Sequence, residues 1–108
     1  LVRHLRSGGI IAILLDEKYA EGVKMPFLGV DALTSLSAAQ LALKYDLPMI
    51  PAYGIRVGDG NKFDVVFEAP IEHTDSETMT RAFNDSLSKR IIANPEQWYW
   101  FLKRWDGA

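Results

Sequence analysis

The chain alternates short apolar blocks with polar interruptions, and the longest apolar block lies in "GGIIAILLD", Gly8 to Asp16. Six uninterrupted apolar residues between a glycine pair and an acid predict a strand buried on both faces, the kind found in parallel sheets. Asp16 falls at its carboxyl end. From Glu17 to Thr34 the pattern breaks into "EKYAEGVKMPFLGVDALT", which predicts a long connection of the kind that often carries function. "TSLSAAQLALKYDLP" then reads as a helix. Thr34 or Ser35 is placed to cap it, Leu36, Ala39 and Leu43 form one row with Ala38, Leu41, Ala42 and Tyr45 beside it, and Pro48 ends it.

"MIPAYGIRV" predicts the next strand, with Pro51 marking an edge or a bulge because it lacks the ladder donor. Strand, helix, strand implies a parallel, right-handed crossover. "GDGN" supplies turn chemistry, and alternating Phe63, Val65 and Phe67 predict a strand returning antiparallel as a hairpin. "TDSETMTRAFNDSLSKRIIANP" opens on a capping box, Thr74 with Glu77, and carries Met79, Phe83, Leu87 and Ile91 down one helical face. The closing "NPEQWYWFLKRW" has Asn94 as cap and Pro95 as first residue of another short helix. At about 100° per residue it puts Trp98, Phe101, Leu102 and Trp105 on a core face, with Trp100 and Arg104 opposite. The whole predicts a single α/β domain over residues 1–108, a mixed, mostly parallel sheet with flanking helices.

Composition narrows this little and excludes some chemistry. The 108 residues are 48% hydrophobic and 24% charged, as expected of one globular unit. A formal charge of −2 gives no electrostatic footprint for nucleic acid. With no cysteine there is no disulfide framework, thiolate zinc site or cysteine nucleophile. The apolar block is far short of the ~20 residues that cross a bilayer. The first residues, "LVRHLRSGG", lack an initiator methionine and read as the continuation of a longer chain. A parallel sheet cut at its first strand exposes an apolar edge, which predicts an oligomer or partner contact there.

No Gly-x-Ser-x-Gly elbow, P-loop or GxGxxG fingerprint is present. His4 and His73 stand far apart, and surface solvation accounts for both better than a metal site. Asp16 remains, either a turn cap or a ligand-facing acid at the carboxyl edge of an open sheet. Lys18, Tyr19, Lys24 and Arg56 are groups the topology gathers on the same side, suited to phosphate or carboxylate. Trp100, off the core face, is either packed locally or held against lipid or protein.

From "GGIIAILLDEKY" through "MPFLG" and "ALTSLSAAQLALKYDLPMIPAYGIR" to "PEQWYWFLKRW", the order and spacing resemble the C-terminal half of the lipid A biosynthesis lauroyl/myristoyl acyltransferases. The resemblance implies part of a glycerolipid acyltransferase-like fold. It also implies transfer of a fatty acyl chain from an acyl carrier protein thioester to a hydroxyl of a lipid A precursor, at the cytoplasmic face of a bacterial inner membrane, without a cofactor. A related glycolipid, acylated phosphatidylinositol mannoside, is the alternative acceptor, and a non-catalytic α/β binding module the alternative class. In the family a His-x-x-x-x-Asp/Glu pair supplies the general base. Here Gly9 follows His4 and Thr78 follows His73 at that spacing, so the resemblance places the base upstream of Leu1 and the segment alone is expected to be inactive.

Position by position, the resemblance makes Asp16 the supporting acid. Pro26, Phe27 and Gly29 match the Pro-Phe-Phe-Gly loop, with Leu28 replacing its second aromatic. Thr34 and Arg56 become pocket or anion-binding positions beside Lys18 and Tyr19. Trp100, Lys103 and Arg104 become contacts for membrane or carrier protein, in a block where Leu102 and Lys103 depart from the family's His-Arg.

Overall fold

The computed structural model describes residues 1–108. Helix α1 spans Val2–Arg6, strands β1 and β2 Val23–Phe27 and Val30–Thr34, helix α2 Ser37–Tyr45, strands β3 and β4 Ala52–Arg56 and Phe63–Phe67, and helix α3 Ser76–Ala93. Two 3-10 turns, Pro95–Gln97 and Trp100–Leu102, close the chain. The strands form two separate antiparallel pairs, β1 with β2 and β3 with β4. The α/β class stands, but the mostly parallel sheet does not, and with it goes the crossover: α2 joins strands of two different sheets.

The reason lies in the run Ile10–Leu15. It has no regular secondary structure, and residues 10–18 enter no backbone–backbone hydrogen bond. His4 Nε2 lies 3.2 Å from the Ile10 carbonyl, the one tie on this run. Ile10 is 90% and Leu14 80% exposed; Leu15 alone is buried. A parallel strand needs a partner brought from far along the chain, and no segment of residues 1–108 supplies it.

The expected connection after Asp16 contains a hairpin instead. Val23 pairs with Thr34 through to Phe27 with Val30, around Leu28 and Gly29 at φ 53° and 81°. Two successive positive φ angles give the turn whose twist matches a hairpin. Met25, Phe27, Ala32 and Thr34 face inward, the period of two that a half-buried sheet requires.

Helix α3 is the spine against which the hairpin packs. Asp75, one residue beyond the predicted Thr74, is its cap: its Oδ1 accepts the Thr78 N–H at 2.8 Å. The Met79, Leu87 and Ile91 row is buried and Phe83 half-buried, as the four-residue spacing predicts, while Thr80 and Asn84 are buried beside it. Phe27, Ala32, Leu87 and Ile91 form one core cluster, and Ala39, Ala42 and Met79 a second under α2.

The closing segment is not a helix. Trp98 is extended (φ −88°, ψ 137°) and Lys103 left-handed (φ 51°), which breaks it into two turns. On a helix Trp98 and Trp105 would stand about 10 Å apart along the axis. The break lets both rings meet the single Phe27 ring, at 5.7 and 5.5 Å between centroids. Of the predicted core face, Trp98, Leu102 and Trp105 are half-buried but Phe101 is 83% exposed. Arg104, assigned to the opposite face, is 1% exposed.

Candidate functional site

Two stretches some seventy residues apart in sequence close on each other. The Trp105 indole N–H donates to the carbonyls of Phe27 (3.1 Å) and Val30 (3.2 Å), spanning the hairpin tip. Leu28 N–H donates to Ser88 Oγ at 3.2 Å, tying the same tip to α3. The "MPFLG" and "WYWFLKRW" blocks are thus one structural unit.

At the other end of the hairpin, where Thr34 pairs with Val23, sits a buried polar cluster. Arg104 Nη1 donates to the Leu33 carbonyl at 2.7 Å, Nη2 donates to Thr34 Oγ1 at 3.0 Å, and the guanidinium carbon lies 5.1 Å from the Phe27 ring centroid. Thr34 Oγ1 donates to the Ala32 carbonyl and accepts from Asn84 Nδ2 at 3.4 Å. Two buried atoms, Arg104 Nε and Asn84 Oδ1, have no partner. Burial lowers the Arg104 pKa from its ordinary value, and the negative charge of Asp16 pulls it back upward. An arginine keeps its proton through such opposition, so the cluster holds a fixed positive charge within the field of Asp16.

A second network lies at the wall of a groove. Tyr53 and Ser86 hydroxyls lie 2.8 Å apart, Ser86 donates to Glu68, and Arg90 grips Glu68 Oε2 through Nε at 3.1 Å and Nη2 at 2.7 Å. The Ser86 hydrogen bond, then Arg90, hold the Glu68 carboxyl below the usual carboxylate range. Burial raises the Tyr53 phenol, opposed by Ser86. The groove, about 540 Å³, is lined by the run Ile10–Leu15, α2, Met49, Tyr53 and Phe83. Asp16 is its one charged lining residue.

The structure therefore gathers part of the predicted set. Phe27, Thr34 and Arg104 meet, and Asp16 acts on Arg104 while also lining the groove. Pro26 and Gly29 lie exposed on the hairpin. Lys18 and Tyr19 are exposed; the Tyr19 backbone N–H reaches the Leu33 carbonyl at 3.4 Å. Arg56 stands away from this cluster, its guanidinium 5.3 Å from the Phe63 ring centroid and its backbone N–H and C=O clasped by the Gln97 amide. Trp100, 51% exposed, donates its indole N–H to the Pro95 carbonyl at 2.8 Å, and Lys103 is exposed. Arg104, expected at a membrane or carrier surface, is inside the protein: its planar fork matches two acceptors on β2, the Leu33 carbonyl and Thr34 Oγ1.

Sequence reasoning missed Asn84, Ser86, Glu68 and Arg90. Asn84 sits on the inward stripe of α3, where an amide among apolar residues signals a buried partner. His4 and His73 each hold a backbone carbonyl, Ile10 at 3.2 Å and Leu47 at 2.8 Å. No group of three or more His, Asp or Glu side chains is arranged to hold a metal ion.

Two comparisons with known proteins bear on this unit. Residues 1–106 match the family described as bacterial lipid A biosynthesis acyltransferase. The chain is also similar to the phosphatidylinositol mannoside acyltransferases of two Mycobacterium tuberculosis strains, CDC 1551 / Oshkosh and ATCC 25618 / H37Rv. In each case identity is 23% over 106 residues, 97% of this chain and 34% of the relative. The chain thus spans about a third of the length of these curated relatives. With a match that covers nearly every residue, including the joined hairpin and closing block, the chain belongs to the bacterial lipid A biosynthesis acyltransferase family.

Proposed function

We propose that these residues form the C-terminal portion of an acyltransferase domain that moves a fatty acyl chain from an acyl carrier protein thioester to a hydroxyl of a lipid A precursor. The family match over residues 1–106 carries this reading. Asp16 supports the reacting hydroxyl, whose general base comes from elsewhere in the enzyme. The apolar groove seats the acyl chain: its volume falls in the range of about 300–1,000 Å³ usual for small-molecule sites, and its polar landmark is Asp16 itself. Lys18, Tyr19 and Arg56 offer contacts to a phosphate-bearing headgroup, and the Pro26–Gly29 tip shapes the pocket rim. No step requires a cofactor.

The work takes place at the cytoplasmic face of a bacterial inner membrane. No helix of the chain is long and apolar enough to cross a membrane, and Trp100 with Lys103 supplies interfacial contact from the exposed closing turn. The uncovered run Ile10–Leu15 is the surface for an oligomer or partner contact. The mycobacterial relatives favour a second acceptor, a phosphatidylinositol mannoside, within the same chemistry. Both readings meet one assay: the complete natural protein is given acylated carrier protein and each acceptor in turn. Transfer to the lipid A precursor, reduced on the order of 10- to 100-fold in Asp16→Asn, is the expected result. Transfer only to the mannoside selects the second reading, and an undiminished Asp16→Asn variant removes Asp16 from the site.

A further inference from the structure

We infer that Arg104 is a positioning residue for Asp16: from beneath the hairpin its guanidinium fixes where that carboxylate stands at the mouth of the groove. The inference rests on the assignment of Asp16 as the supporting acid. Arg104 is buried and gives both Nη groups to the end of β2, at Leu33 and Thr34. The segment descending from Asp16 is laid on those same two residues. Tyr19 N–H reaches the Leu33 carbonyl that Arg104 also holds. Gly22 packs so closely on the Thr34 backbone that a Cβ there would come within 2.4 Å of the Thr34 oxygen. One guanidinium therefore pins the strand end on which Tyr19 and Gly22, a few residues after Asp16, are set.

Charge completes the argument. No carboxylate lies within 4.0 Å of Arg104, so it makes no direct ion pair, and its Nε has no partner. A buried cation without a counter-charge is costly, and Asp16 is the acid whose field reaches it. The pair acts through the short span of backbone between them rather than by contact. Lysine at this position would keep the charge but lose the fork that holds two acceptors at once.

The test is a double-mutant cycle in the complete natural protein, with Asp16→Asn, Arg104→Gln, their combination and Arg104→Lys, read by kcat, KM and thermal midpoint. Arg104→Gln is expected to lower kcat on the order of 10- to 100-fold with KM little changed. In the Asp16→Asn background it should lower kcat no further, and Arg104→Lys should recover part of the loss. Losses that multiply in the double variant, or a loss carried by KM, overturn the inference. If Arg104→Gln does not fold, Arg104→Lys takes its place in the cycle, with the same outcomes. If Asp16→Asn alone keeps full kcat, the functional assignment of Asp16 falls, and the thermal midpoints then decide the pairing. A smaller drop for the Arg104 change in the Asp16→Asn background supports the pairing, and additive drops overturn it.

Discussion

The run Ile10–Leu15 and the hairpin with its closing block are both apolar, and they meet opposite fates. The run carries six apolar residues in a row and buries one. The hairpin alternates, carries a proline and charges, and buries Met25, Phe27, Ala32 and Thr34. What separates them is the distance to a partner. A hairpin closes through a two-residue turn and pairs its own arms, after which Trp98 and Trp105 fold back onto its inward ring. The run Ile10–Leu15 has no such partner within the chain and pairs with nothing. Hydrophobicity thus states a demand for burial, and topology decides whether the demand is met.

The contrast is open to attack at both ends. Phe27→Ala strips the ring that touches Trp98, Trp105 and Arg104, and should cost about 3–5 kcal/mol in denaturant unfolding, whereas Leu14→Ala, at an exposed position, should stay within about 0.5 kcal/mol. Equal costs would mean that the run is as deeply embedded as the hairpin. A smaller cut is Trp105→Phe, which keeps an aromatic against Phe27 but removes the N–H shared by the Phe27 and Val30 carbonyls. It should cost about 1 kcal/mol, and amide hydrogen exchange should quicken at Leu28 and Val30 but not at Ile10–Leu15. The smallest effect is a pH dependence between β4 and α3. Because the Glu68 carboxyl is held below its ordinary value of 4.5, its contribution is present above that value and is lost as pH falls through the lowered one. Unfolding followed from pH 6 down to pH 3 should show a loss that Glu68→Gln reduces, the remainder including Asp75, whose carboxyl is also held low by its hydrogen bonds to Thr78; an unchanged profile in that variant would discard the role of the Ser86–Glu68–Arg90 network.

Local periodicity made α2, α3 and the β3–β4 hairpin legible, because each is fixed by residues within a few positions of one another. The β1–β2 hairpin was hidden by Leu28, a side chain seldom found at φ 53°, where asparagine or aspartate would have announced the turn. Pro26 inside β1 concealed it further. The closing segment misled for a different reason: its helical spacing is real, but two tryptophans competing for one phenylalanine favour broken turns. Burial of Arg104 could not be read locally at all, since its acceptors lie on Leu33 and Thr34, some seventy positions away. The unpaired run was misassigned because an apolar block names a strand without naming its neighbour. Of the candidate residues that the sequence marks, Phe27, Thr34 and Arg104 come together and Asp16 acts on Arg104, but the sequence places Arg104 at the surface and does not mark Asn84.

The three tryptophans make the closing block an optical gauge. Trp98 and Trp105 emit from half-buried positions against Phe27, and Trp100 emits from the surface, so fluorescence contains one component that reports the hairpin clasp and another that reports what touches the outside. With Trp100 replaced by phenylalanine, the remaining emission is expected to follow the clasp alone, and any binding event that loosens or tightens it can be watched without a label.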